Sequence, residues 1–316
     1  MSRKIKGNLM LLLTAFIWGT AFVAQSKGMN YIGPFTYCAV RNILGGLVLI
    51  PVIIFFRKKD KTKSYASVRE KFLLKETVVG GVICGIVMFF AGSSQQIGIS
   101  YTTAGKAGFI SAIYIIAVPL VEFFLYKKKS VLVWVCAFVA MCGLYLLCVN
   151  EGFTINKGDL IVFISALGFT VHIMVIDHFN EKGADGVMMS CIQFFTAAVF
   201  MSMCMFIFET PDIGNILDAK YTILYAGVMS SGVAFTLQIS GQRYTDATSA
   251  SLIMCLESVF AALSGWLFLR EIMTFKEFSG CALVFTAVIL AQFKDRIKNT
   301  SKQNNNQGEA YEKASE

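Results

Sequence analysis

The chain has 316 residues, 56% hydrophobic and only 15% charged, with a mean hydropathy of +0.64. A water-soluble domain of that length needs more charge to cover its surface, so the excess apolar residues point to lipid as the solvent. The net charge of +8 sits on Lys and Arg clustered between long apolar runs, where they read as topology signals rather than as a nucleic-acid surface.

A bilayer-crossing helix takes about 20 mostly apolar residues, and ten stretches qualify. The first, 7–29, follows Arg3, Lys4 and Lys6 as a signal peptide would. It is long, holds Trp18 and lacks a small-x-small cleavage site, so it reads as a retained helix. The second, 34–56, carries Arg41 about two turns in, roughly 10 Å deep at ~1.5 Å per residue. Snorkelling from there is hard, so Arg41 is expected to face protein, either as a structural or gating group that bonds helix-end carbonyls or as the holder of an anion. The third, 77–98, holds Ser93, Ser94, Gln95 and Gln96 in succession, which cover most of a helix circumference and cannot all face lipid. The fourth, 103–125, has Lys106 about one turn in, which either snorkels outward or joins Arg41 in holding a substrate carboxylate. It also has Tyr114, and Pro119, which should kink it.

The fifth span is 131–149, and the sixth, 158–179, carries Phe169 and His172. Trp18, Tyr114 and Phe169 are candidates for an aromatic pocket, against a background of plain packing. His172 is the candidate pH-responsive group, with a neutral, hydrogen-bonded core histidine as the alternative. The seventh span is 186–208, and the eighth, 222–243, presents Ser230, Ser231, Gly232 and Gln238. The ninth, 247–268, places Glu257 near the bilayer centre, where a carboxylate must be protonated, be paired or line a wet cavity. Its role is proton coupling, binding of a substrate amine, or a structural hydrogen bond. The tenth is 275–293, and the polar residues after Asn299 read as a disordered cytoplasmic tail. Gly45, Gly46, Gly80, Gly81, Gly85, Gly105 and Gly108 permit close helix approach.

With the N-terminus inside and sides alternating, 21 basic residues fall on the inner side and 5 on the outer. Positive-inside asymmetry of that size predicts both termini in the cytoplasm. The nine cysteines lie inside apolar runs without paired spacing, and His172 and His178 are too few for a metal cage, so no metal or cofactor is expected. No phosphate-binding glycine loop, HExxH motif or paired aspartate is present, which leaves neither an ATP-driven pump nor a membrane-embedded enzyme supported.

The two halves repeat. A shift of 143 residues lays Gln95, Gly98, Tyr101, Thr102, Ala104, Ala107 and Ile110 on Gln238, Gly241, Tyr244, Thr245, Ala247, Ala250 and Ile253. A shift of 151 lays Lys6, Gly7, Leu9 and Ala15 on Lys157, Gly158, Leu160 and Ala166. Residues 1–149 and 150–298 thus form two five-helix units, followed by the tail 299–316. An odd number of helices inserts the second copy upside down, the architecture of alternating-access carriers.

Three segments, AFIWGTAFV (Ala15–Val23), YTTAGKAGFISAIYIIAVPL (Tyr101–Leu120) and LESVFAALSGWLFLREIMT (Leu256–Thr274), resemble the EamA-type branch of the drug/metabolite transporter superfamily. The resemblance implies two inverted five-helix repeats and a secondary transporter in the cell membrane. It would export a small metabolite such as an amino acid; a drug or nucleotide-sugar carrier is the alternative within the same fold. The chain departs from the family pattern at Ser258, where proline usually follows the glutamate, and at Lys128, where the second half has Glu271. The residues expected to line a central cavity between the halves are Trp18, Gln95, Lys106, Tyr114, His172, Gln238 and Glu257, with Arg41 and Pro119 structural or gating. The expected partners are the bilayer, a small-molecule substrate and the coupling proton.

Overall fold

The computed structural model describes residues 3–59, 68–102, 104–127, 130–148, 156–269 and 273–291. Among them every regular element is helical and eight helices are long and apolar enough to cross a membrane. The eight are span one (Arg3–Gly28), two (Pro34–Phe55), three (Leu73–Ile99), four (Ala107–Tyr126), six (Lys157–Glu181), seven (Gly186–Phe208), eight (Lys220–Gln242) and nine (Ala247–Ser264). The shorter apolar helix Val131–Leu147 is span five and the helix at 275–291 is span ten. Large apolar side chains such as Phe90, Phe138, Leu160 and Phe206 cover the outside, as a lipid-facing surface requires. The tail after Asn299, Lys128 and Glu271 lie outside the described residues. The face that carries the N-terminus is called here the N-terminal face, and the other the distal face.

The repeat read from the sequence is visible as pairs of equivalent contacts. Thr14 Oγ1 on span one donates to the Ala234 carbonyl of span eight at 3.0 Å, and its equivalent Ser165 Oγ on span six donates to the Ala91 carbonyl of span three at 2.8 Å. Thr245 donates to Asn8 Oδ1 at 2.9 Å on the N-terminal face, and Thr102 donates to Asp159 Oδ1 at 2.5 Å on the distal face. Those residues are matched by the same two shifts, 143 and 151. The glycines obey the same exchange: a Cβ on Gly7 would lie 2.9 Å from the Gly241 oxygen, and one on Gly158 would lie 2.9 Å from the Gly98 oxygen. Two copies of one five-helix unit, inverted relative to each other, account for every one of these pairs.

Spans four and nine are each broken. Span four consists of Ala104–Ser111 and Tyr114–Tyr126, and span nine of Ala247–Met254 and Leu256–Leu269. The sequence expectation assigned the bend of span four to Pro119. The structure corrects this: Pro119 lies inside Tyr114–Tyr126, and the breaks fall at the repeat-equivalent residues Ala112 and Cys255. The cause is local tightening, with Ile113 donating to Ile110, Ile115 to Ala112 and Ser258 to Cys255, each a three-residue step instead of four. Span eight is irregular as well, with Tyr225–Phe235 in wider π-type turns that face the centre of the molecule.

The close glycine contacts give a test. A Cβ on Gly158 would lie 2.8 Å from the Tyr101 carbonyl carbon, whereas one on Gly108 would find only Ser258 Oγ at 3.6 Å. Gly158→Val should therefore destabilise by about 1–3 kcal/mol through overpacking, read as a lowered midpoint of thermal unfolding in detergent. Gly108→Ala should leave the midpoint unchanged. Equal midpoints for both variants would contradict the packing described.

Candidate functional site

The helices that carry the repeat-matched residues converge on one cavity. It is lined by Trp18, Phe22 and Gln25 of span one, Arg41 of span two, Gln95 of span three, Ser111 and Tyr114 at the break of span four, and Phe169 and Ile173 of span six. Ser230, Phe235 and Gln238 of span eight and Met254 and Glu257 at the break of span nine complete it. Five repeat-equivalent pairs make up most of this wall: Trp18 with Phe169, Phe22 with Ile173, Gln95 with Gln238, Ser111 with Met254, and Tyr114 with Glu257. The last pair bonds directly, Tyr114 Oη donating to Glu257 Oε1 at 2.9 Å, which puts that bond beside the pseudo-two-fold axis.

The breaks explain why Tyr114 and Glu257 point inward. Each lies in the first turn of the second half of its span, two residues after the break at Ala112 or Cys255. Ser258 stands where the family pattern has proline, and its hydroxyl donates to the Gly108 carbonyl of span four at 3.1 Å. A side-chain bond to the opposite broken helix thus occupies the position, and the break persists without a proline.

The polar wall has two ends. Towards the distal face, Arg41 Nη1 donates to Gln25 Oε1 at 2.8 Å, and Gln95 Nε2 donates to Ser111 Oγ at 3.1 Å. Towards the N-terminal face stands Gln238, 2% exposed, whose Oε1 has no hydrogen-bond partner. Between them Trp18 Nε1 reaches the Ser230 carbonyl at 3.4 Å, and its ring lies 4.6 Å from that of Phe235. The free volume that water can occupy in the cavity is about 40 Å³, room for two or three waters and not for a metabolite. This conformation is closed around its centre.

Of the residues expected at the site, Trp18, Gln95, Tyr114, Gln238 and Glu257 are brought together, and Arg41 joins them in the wall. His172 is not in the wall: it is fully buried behind Phe169 and Phe235, with Nε2 2.9 Å from Gln193 Oε1. Pro119 is buried on the N-terminal side of Tyr114, away from the cavity. The side chain of Lys106 lies outside the described residues. Sequence reasoning missed Gln25, Ser111 and a second buried carboxylate, Glu122, which accepts a short hydrogen bond from Thr248. Gln25 sits near the end of its span beside Lys27 and reads as interfacial, Ser111 is small, and Glu122 lies about a turn and a half from the basic loop. Their intramembrane position was a readable signal only for Glu122.

A model of the EamA-like transporter family matches residues 5–149 and 156–293. The chain belongs to the EamA-like transporter family. An uncharacterized transporter of Archaeoglobus fulgidus is 29% identical over 92% of this chain and 87% of its own length. The uncharacterized transporter YoaV of Bacillus subtilis is 24% identical over 92% and 97% of the two chains. A chloroplastic WAT1-related protein of Arabidopsis thaliana is 21% identical over 90% of this chain and 69% of its own. A crystal structure superposes with a TM-score of 0.75 at 16% identity, covering 92% of this chain and 97% of the other, a likeness of fold. This EamA-like chain is thus a multi-pass membrane transporter whose repeats meet at a narrow cavity walled by aromatic and apolar side chains with a few polar groups among them.

The placement of His172 separates support from site. His172→Leu leaves Gln193 buried without its partner and should cost about 1–3 kcal/mol of stability, while transport per folded molecule stays at the wild-type level. Thermal unfolding and flux measured on the same preparation check both halves of that statement. A large loss of flux at unchanged stability would return His172 to the site.

Proposed function

We propose that the protein is a secondary carrier that exports a small metabolite, such as an amino acid, across the plasma membrane by alternating access. The observation that carries this reading is the meeting of repeat-equivalent polar residues, Gln95 with Gln238 and Tyr114 with Glu257, in one cavity between the halves. Inverted repeats have two equivalent ways to pack, and exchanging the conformations of the halves moves the opening from one face to the other. The ties Thr245–Asn8 on the N-terminal face and Thr102–Asp159 on the distal face close the two ends in turn. Both are made in the closed conformation described above, and each opens in one of the two accessible states.

Glu257 is the group that couples and binds. An ionised carboxylate at the bilayer centre is penalised by about 2.5–3.5 kcal/mol on insertion scales, so a leucine there would be easier to insert. The carboxyl keeps Tyr114 as its partner through one oxygen and has the other free for a substrate ammonium or a proton. Exchange of substrate for a proton at this position drives export, and the proton is the coupling ion.

Both termini lie in the cytoplasm on this reading, motivated by the ratio of 21 inner to 5 outer basic residues. Reporter fusions at Asn304 and within Glu209–Asp218 should report opposite sides of the membrane. The same side for both would end the topology and, with it, the alternating-access scheme. For mechanism, Glu257→Gln should fold with a near-normal melting midpoint, lose at least tenfold in flux into inside-out vesicles, and lose its dependence on pH. The flux assay uses a radiolabelled metabolite chosen by comparing export from cells with and without the protein. A fully active, pH-responsive Glu257→Gln protein would remove the residue from the mechanism.

A further inference from the structure

The cavity wall departs from its two-fold pattern at Ser230 and Phe235 of span eight and at Gln25 and Arg41, the last of which carries a charge. Gln25 corresponds, at the shift of 151, to Ile176, which is buried in an apolar cluster and does not reach the cavity. Arg41 is the single cation in the wall among the described residues. It is 6% exposed, yet no carboxylate lies within ion-pair distance of it among the described residues. Its Nε is buried with no partner, and its polar contacts are to neutral groups, the Gln25 amide oxygen and the Cys38 thiol. Tyr37 offers its ring face at 5.9 Å from the guanidinium carbon, a weak compensation for a full charge. The neighbouring acid on the distal side, Glu209, is committed elsewhere: it accepts from Phe35 N and Thr36 N, each at 2.8 Å, and from Thr36 Oγ1 at 2.6 Å.

A clamp that only holds helices together would be saturated by carbonyls or a carboxylate, because an unpaired charge inside a membrane protein is costly. Arg41 instead keeps unused N–H capacity at the wall of a cavity. Gln25 is turned by its bond to Arg41 so that its carbonyl oxygen is occupied and its amide nitrogen remains a donor. The two side chains therefore offer chiefly N–H groups, with one lone pair of the Gln25 oxygen already taken by Arg41. A planar guanidinium beside an amide suits a carboxylate, which accepts from two donors at once. One fixed positive charge matches a monoanion, while a phosphate dianion would leave charge unmatched.

We propose that Arg41, with Gln25, is the anion-binding pole of the cavity, and that the transported molecule presents a carboxylate to it. This rests on the carrier reading given above and narrows it: the lipophilic cations typical of drug carriers do not fit, and acids do. Arg41 is then a specificity-determining residue rather than a structural or gating one. At the far end of the cavity, the unpartnered Oε1 of Gln238 supplies an acceptor for a donor group on the same molecule.

The test uses the purified full-length protein and matched probes: 3-methylbutanoate, phenylacetate, L-leucine and L-phenylalanine, each against its primary amide. Binding is read from the ligand-induced shift in thermal unfolding and from competition in proteoliposome flux. At least one acid should bind about tenfold or more tightly than its amide. Arg41→Gln should erase that ratio and Arg41→Lys should restore part of it. Because Arg41→Gln can also weaken folding, Gln25→Glu is the second variant. It is nearly isosteric and places a carboxylate 2.8 Å from Arg41 Nη1, satisfying the charge internally. It should fold at least as well as wild type and lose the preference for acids. A purely structural arginine predicts that Gln25→Glu keeps the acid-to-amide ratio. That result, or amides binding as well as acids in the wild type, overturns the proposal. Flux of a neutral or cationic compound that ignores both variants would overturn it while leaving the carrier reading in place. Acid preference that persists in a Glu257→Gln protein with no flux would sustain this proposal and count against the coupling scheme alone.

Discussion

In hydrocarbon a polar group has no water to turn to, so buried polar groups in this chain depend on partners inside the protein, and several of those partners come from the other repeat. Thr14 bonds a carbonyl of span eight and Ser165 one of span three. Ser258 bonds a carbonyl of span four, and Glu257 accepts from Tyr114. These bonds cross the boundary between the two five-helix units, so neither unit satisfies its own polar groups alone. The requirement for internal satisfaction makes the interface specific, and the same interface contains the cavity. Fold and candidate site are therefore consequences of one constraint.

That arrangement leaves the interface both polar and tightly packed. Small residues bring the backbones together, as at Gly7 against Gly241 and Gly158 against Gly98. The breaks at Ala112 and Cys255 lie next to the bonded pair Tyr114 and Glu257, so helix breaks and central polar groups coincide. A wider-turned segment, Tyr225–Phe235, faces them from span eight. Irregular backbone at the midplane is tolerated only where protein or a cavity surrounds it, and all three irregular segments adjoin this cavity.

Buried polar residues in this structure fall into two kinds. His172 with Gln193 and Glu122 with Thr248 stand off the cavity and bond one another across spans. Arg41, Gln25, Gln95, Gln238, Tyr114 and Glu257 stand on it, and several retain capacity that no protein group uses. Residue type does not separate the kinds, since each contains a glutamine and a glutamate. What separates them is whether the side chain lines the cavity, since unpartnered polar atoms occur in both kinds, His172 Nδ1 and Gln193 Nε2 off the cavity and Arg41 Nε and Gln238 Oε1 on it.

The span count, the repeat and the family resemblance were legible from composition and from two residue shifts, because lipid imposes a length and a polarity on every crossing segment and an inverted copy preserves its register. The sequence also marked Trp18, Gln95, Tyr114, Gln238 and Glu257, since polar or amphipathic residues deep in a span need a reason to be there. It misjudged the bend: proline at 119 is a visible signal, whereas the tightening at Ala112 and Cys255 carries no proline or glycine to mark it. It could not rank His172 against Gln25, because a helix residue's angular position within the bundle depends on which neighbours close around it. Sequence by itself determined which residues are buried in the membrane and which repeat partner each has; only the tertiary structure decided which of them share a cavity and which find their hydrogen-bond partner elsewhere, because that choice is set by distances between helices far apart in the chain.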